Sequence, residues 1–178
     1  MKIIKNIHRF NKPNCAVALG TFDGVHLGHK RVISKAVEFS KKQKIPCVVV
    51  TFDPHPSVII HKNKKTGLLT TISERAYFVS SLGVDYMLVL LFDKKFASTG
   101  YKMFVEKYLV RLLRTKAIFV GNDYTFGKNK EGNVAKLKKI GKKDGFFVFG
   151  VKDKIENNRV VKSTLIRTLI KSENFIML

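Results

Sequence analysis

Two cysteines in 178 residues, Cys15 and Cys47, leave no basis for a disulfide framework or a cysteine-built metal cluster. Each sits in or beside an apolar run, which fits a reducing compartment. No apolar stretch approaches the ~20 residues of a membrane-spanning helix. The first ten residues carry Lys2, Lys5 and Arg9 and no continuous apolar segment, so they do not read as a secretory leader. The expected location is therefore the cytoplasm, with no membrane partner. Acidic residues are also scarce, 13 against 34 Lys and Arg, giving a net charge of +21. A field of that sign attracts polyanions and small anions alike. The lysines are spread over many segments and form no single block, so a solvated surface and small anionic substrates are expected rather than nucleic acid.

What is present is an alternation of short apolar, β-branched runs with helically spaced segments. That pattern predicts an α/β domain with a Rossmann-like parallel sheet and helices on both faces. Strands are expected at Cys15–Gly20, Cys47–Phe52, Val84–Phe92, Ala117–Gly121 and Phe146–Val151. Helices are expected at Gly28–Gln43, from Thr71 to about Leu82, at Ser98–Arg114, from Val134 to about Lys143, and from Ser163 onward. Thr71 and Glu74 have the spacing of a capping box. Two long loops, Asp53–Thr70 and Asn122–Glu131, and a polar turn at Asp153–Asn158 complete the reading. Neither repeat nor linker is evident, and one domain over 1–178 is expected.

Four segments carry the candidate chemistry, each next to a predicted strand end or helix start. The first is Gly20-Thr21-Phe22-Asp23-Gly24-Val25-His26-Leu27-Gly28-His29, which joins the first strand to the first helix. Glycines there permit tight turns and close approach of a ligand to the backbone. A helix start offers free amides to phosphate, and His26 and His29, three apart, can face the same anion. The second segment, Thr51-Phe52-Asp53-Pro54-His55-Pro56, is a stiff turn after the second strand. The third, Gly121-Asn122-Asp123-Tyr124-Thr125-Phe126-Gly127, brings an acid, two aromatics and two glycines to the same sheet edge. The fourth, Ser163-Thr164-Leu165-Ile166-Arg167, sets hydroxyls at a helix start with an arginine one turn on. Two other phosphate motifs fail. From Gly121 to Lys128 five residues separate the glycines and Asn129 replaces the required Ser or Thr, and Gly20, Gly24 and Gly28 are too evenly spaced for a dinucleotide fingerprint.

In this order and at these separations, GTFDGVHLGH, FDPHP, the aromatic FG segment and the STLIR ending resemble the adenylyltransferase half of the bacterial bifunctional riboflavin kinase and FAD synthetase family. The resemblance runs from about residue 14 to the C-terminus and implies the fold of the HxGH nucleotidyltransferases. It further implies transfer of AMP from ATP to FMN, with Mg²⁺ and release of pyrophosphate. By the same resemblance His26, His29, Ser163 and Arg167 are catalytic. Gly20, Thr21, Phe22, Asp23, Gly24, Gly28 and Thr164 bind ATP, and Phe52, Asp53, Pro54, His55, Pro56, Asp123, Tyr124 and Phe126 bind FMN. The metal ligands are not implied. Lys162 and Leu165 depart from the family pattern, where a serine and an arginine are usual, and the riboflavin kinase domain is expected to be absent.

Protonated histidines are expected beside a triphosphate. Two other readings stay open: a related nucleotidyltransferase with a different phosphate acceptor, and a nucleotide- or RNA-binding module without catalysis. Oligomeric state is not legible.

Overall fold

A computed structural model describes residues 1–60, 67–152, 155–156 and 159–172. Its centre is a six-stranded sheet built from β1 (Lys2–Ile4), β2 (Ala16–Leu19), β3 (Cys47–Asp53), β4 (Tyr86–Leu91), β5 (Ala117–Gly121) and a further strand, Phe147–Val151. The order is β1-β4-β3-β2-β5 followed by Phe147–Val151, and every pairing is parallel. This confirms the predicted fold class. Parallel strands buried on both faces need apolar residues at successive positions, and β2, β3 and β5 supply them.

Side-chain alternation divides the core into two layers. Val17, Leu19, Val48, Val50, Leu88, Leu90, Ile118 and Val120 face one way, toward α5 (Tyr101–Phe104), its continuation through Leu112, and α6 (Val134–Asp144). Ala16, Ala18, Val49, Met87, Val89, Ala117 and Phe119 face the other, toward α1 (Leu27–Gln43) and α3 (Ile72–Ser80). The small residues of β2 and β5 on that face let α1 lie close over both strands. Between α5 and α6 two short strands, β6 (Thr125–Phe126) and β7 (Gly132–Asn133), pair antiparallel, so the last sheet strand, Phe147–Val151, is β8. Beyond it β9 (Ile155–Glu156) and β10 (Arg159–Val160) pair antiparallel before α7 (Ser163–Lys171).

Several boundaries differ from expectation. The loop after β3 contains α2 (Pro56–Ile60), started by the second proline of its turn; residues 61–66 of the loop lie outside the described residues. The helix predicted over Ser98–Arg114 starts later, at Tyr101, and a separate short helix precedes it. Asp93 caps α4 (Lys94–Ala97) through Phe96 N, and a second helix then starts at Tyr101 and widens to a π-helix over Val105–Leu112. Phe104, Leu109 and Leu113 are buried there, Leu112 is half-buried, and Met103, off that face, is exposed. Strand β1 was not predicted, because three residues starting on a lysine give no periodicity. Of the turn expected at 153–158, only residues 155–156 are described.

Between the sheet's two margins a difference stands out. β1 is three residues long, while β8 carries Phe147 and Phe149, 56% and 39% exposed, the second of them packed against Phe39 of α1 at 5.7 Å.

The capping box is present: Thr71 Oγ1 accepts from Glu74 N, and Glu74 Oε2 accepts from Thr71 N at 2.8 Å. Thr71→Ala is expected to lower the unfolding free energy by about 1 kcal/mol, read as a shift of the urea midpoint at constant slope.

Candidate phosphate and aromatic site

β2 is the strand from which the chain crosses to β3 on one side and to which β5 returns on the other, so the loops after β2 and β5 diverge at their carboxyl ends. That crevice is where open parallel sheets bind ligands. The turn Gly20–His26 fills one side of it. Phe22, Gly24 and Val25 all take left-handed backbone angles, with φ of 50°, 84° and 39°. At Gly24 a side chain is excluded twice over, by that angle and because a Cβ would lie 2.8 Å from Leu69.

The turn delivers His26 to the N-cap of α1, where its Nδ1 accepts from His29 N at 3.4 Å. The two imidazoles stack, with ring centroids 3.6 Å apart and planes at 23°. A Cβ on Gly28 would approach the His26 ring to 3.2 Å, so the glycine between the histidines provides the space in which His26 lies. Phe22 packs edge-on against His29 at 5.3 Å. Burial, helped by neighbouring His26, pushes the His29 pKa down to about 3. The expected pair of cations is thereby revised: in this structure His29 is neutral. Its Nδ1 is buried and, among the described residues, has no hydrogen-bond partner.

Asp23, in the same turn, is fully buried. Its carboxylate accepts from the backbone amides of Leu69 and Thr70 and from Thr70 Oγ1 at 2.9–3.1 Å. It also pairs with Arg75 at 3.5 Å and, more closely, with Arg167. Burial alone would raise its pKa, but those amides and the two guanidinium groups outweigh it and hold the carboxyl below the usual range. Arg75 further donates to Thr51 Oγ1 at 3.0 Å, and Thr51 donates to the carbonyl of Thr21 at 2.7 Å. Sequence reasoning missed Arg75 and Thr70, and named Thr51 only as the first residue of the second segment, without this role. A signal existed for Arg75: with Ile72, Ala76 and Val79 it occupies the inner stripe of α3, where a cation needs a buried partner.

The fourth segment reaches the first. Ser163 Oγ donates to the Asp23 carbonyl at 3.0 Å, Arg167 Nε donates to the Gly67 carbonyl at 2.8 Å, and Val161 O lies beside Gly28. Thr164 is exposed on the first turn of α7. Lys162 donates to Asp123 across the mouth of the site at 2.6 Å.

The third segment, with parts of the second, lines a cavity of about 600 Å³. Phe52, Phe92, Phe96, Phe104, Tyr124 and Phe126 form its aromatic wall, with Pro56, Ile59 and Ile60 on the α2 side. Tyr124 and Phe126 are nearly parallel, at 17° and 5.7 Å. Thr21 also lines the cavity, so the histidine turn and the aromatic chamber share a wall. Asp53, Pro54, His55 and Asp123 lie outside that lining. Asp53 and Asp123 are exposed, and His55 Nδ1 sits 2.7 Å from Ser57 Oγ. Phe92, Phe96 and Phe104 were not predicted as site residues, because in sequence they read as core.

A parallel sheet with a stacked histidine pair at its central switch point defines an α/β protein of the nucleotide-handling type. Solved structures agree on the fold: a pantoate-beta-alanine ligase of Francisella tularensis covers all of this chain with a TM-score of 0.61 at 15% identity. A Streptococcus pneumoniae protein described as a macrolide-efflux protein gives a TM-score of 0.80 at 28% identity, over 94% of this chain and 55% of its own. The family model for FAD synthetase matches residues 8–165, and the chain belongs to that family. Among curated relatives, the bifunctional riboflavin kinase/FMN adenylyltransferase of Buchnera aphidicola from Acyrthosiphon pisum is 37% identical over 98% of this chain, and that of Escherichia coli K12 is 32% identical over 99%. The chain spans 56% and 58% of those two relatives' lengths. Among the described residues no helix is long and apolar enough to cross a membrane.

Asp23→Asn leaves two guanidinium groups facing a neutral amide and is expected to cost about 3–5 kcal/mol of stability, read by urea unfolding. An unchanged midpoint would show that the charge is not needed. For His29 the folded pKa of about 3 lies below the free value of 6.5, so between these the unfolded chain binds the extra proton. Stability is then undiminished above 6.5 and falls as the pH drops toward 3. His29→Phe is expected to flatten that decline in a melting-temperature series; an identical slope would contradict the burial of a neutral imidazole.

Proposed function

We propose that this chain is the FMN adenylyltransferase module of its family, transferring AMP from ATP to FMN to give FAD and pyrophosphate. The observation that carries the reading is the shared wall at Thr21, which sets a chamber lined by six aromatic rings beside the histidine turn. A tricyclic, electron-poor ring system suits parallel aromatic faces such as Tyr124 and Phe126. Its phosphate would then extend past Thr21 toward His26, His29 and the start of α7. The family membership and the relatives' names support the same substrates.

In the reaction an oxygen of the FMN phosphate forms a bond to the α-phosphorus of ATP while the bond from that phosphorus to the bridging oxygen breaks, and pyrophosphate leaves with the electron pair. No protein nucleophile is required, so positioning and charge stabilisation carry the catalysis. His29, neutral in this structure, acts as a hydrogen-bond donor to the triphosphate. His26, stacked on His29 at the helix start, presents the second imidazole to the phosphates. Ser163 and Thr164 offer hydroxyls, and Arg167, anchored by Asp23, keeps N–H groups for phosphate oxygens.

Mg²⁺ is the expected cofactor. Among the described residues no three His, Cys, Asp or Glu converge as a ready-made cage. A magnesium ion carried on the substrate phosphates would keep most of its water. Asp53, exposed at the end of β3, would hold one such water, and the ion would neutralise the leaving pyrophosphate.

We infer that riboflavin phosphorylation, the other activity in the relatives' names, belongs to the part of their chains outside the stretch that matches this one. Incubation with FMN, ATP and Mg²⁺ should yield FAD by chromatography, and riboflavin with ATP should yield no FMN. FAD absent from the first reaction, or FMN formed in the second, contradicts the corresponding half. His29→Ala is expected to lower turnover at least ~10²-fold, in the range of losing one preorganised donor. Tyr124→Ala should act chiefly by raising KM for FMN, leaving KM for ATP near the parent value.

A further inference from the structure

Lys162 occupies the N-cap position of α7, yet its side chain makes no capping bond. A cation there opposes the positive end of the helix, so its position is explained by what it reaches and not by the helix it begins. Its Nζ donates to Asp123 Oδ2 at 2.6 Å. The pair joins two parts of the site that serve different ends. Asp123 directly precedes Tyr124 and Phe126 in the cavity wall, and Lys162 directly precedes Ser163, with Arg167 one turn further on. Both side chains are about half exposed, at 47% and 60%. An ion pair in that setting adds little to stability, which argues against a strut. It is also easily exchanged, because a polyphosphate offers an ammonium group more negative charge than one carboxylate does.

We propose that Lys162 is an exchange residue for phosphate: Asp123 holds it while the site is empty, and it transfers to the polyphosphate of the incoming nucleotide. Asp123 therefore masks a cation at the phosphate end of the site, lowering its affinity for small anions that are not anchored elsewhere. This inference rests on the phosphate-site reading given above, and its test is separable from FAD formation.

The test is calorimetric binding of inorganic pyrophosphate, without flavin, to the parent protein, Lys162→Met, Lys162→Arg, Asp123→Asn and the Lys162→Met/Asp123→Asn double variant. Removing the cation should weaken binding about tenfold, and Lys162→Arg should stay within about threefold of the parent. Removing the mask should tighten binding about threefold or more, and the double variant should behave like Lys162→Met. Opposite signs for the two single variants are the signature, since a purely structural pair would lose affinity from either side. Equal losses, or no change in any variant of unaltered melting temperature, overturn the exchange. Absence of pyrophosphate binding in the parent overturns the phosphate site as well, whereas binding without FAD formation from FMN and ATP overturns only the assigned reaction.

Discussion

The buried carboxylate of Asp23 is the point on which this structure turns. A charge removed from water in a protein interior must be surrounded by donors, and each donor here comes from a different stretch of chain. Leu69 and Thr70 bring the segment just before α3, Arg75 brings α3 itself, and Arg167 brings α7. One side chain thus gathers three elements around the histidine turn to which it belongs. Ionic contacts of this kind are poor sources of net stability compared with apolar packing, but they fix geometry, since displacing any partner strands a charge.

That constraint explains the division of labour within the site. The histidine side is assembled from backbone amides, guanidinium groups and a glycine-spaced pair of rings. The aromatic side is packed by shape alone, from residues of β3, α5 and the β6 hairpin, with Pro56 to Ile60 as its outer wall. Thr21 belongs to both, and its carbonyl is tied through Thr51 to Arg75, hence to Asp23. A disturbance of the ionic network reaches the chamber by that short route.

Much of this was legible from residues alone. Runs such as CVVVTF and AIFVG could hardly be anything but interior strands, and the HxGH turn announced itself by placing two imidazoles around a glycine at a helix start. The capping box at Thr71 fixed α3 in advance. Other features were hidden for physical reasons. Arg75 looks like any surface cation until its neighbours Ile72, Ala76 and Val79 are seen to face inward. Phe92, Phe96 and Phe104 lie in three separate segments, and only the fold shows that their rings line an open chamber as well as packing into the core. The electrostatic state of His29 was likewise out of reach, because burial, which no motif encodes, decides it.

The unequal margins of the sheet have a consequence of their own. A strand of three residues, opened by Lys2 and followed by Lys5, gives another chain little backbone to zip onto, and repels it if it is as cationic as this one. The opposite rim is longer, five residues, and presents exposed phenylalanines, over one of which Lys116 Nζ lies at 5.9 Å. Lateral stickiness in this fold is thus polarised: one flank is self-protecting, and the handling of the protein at high concentration is governed by the other.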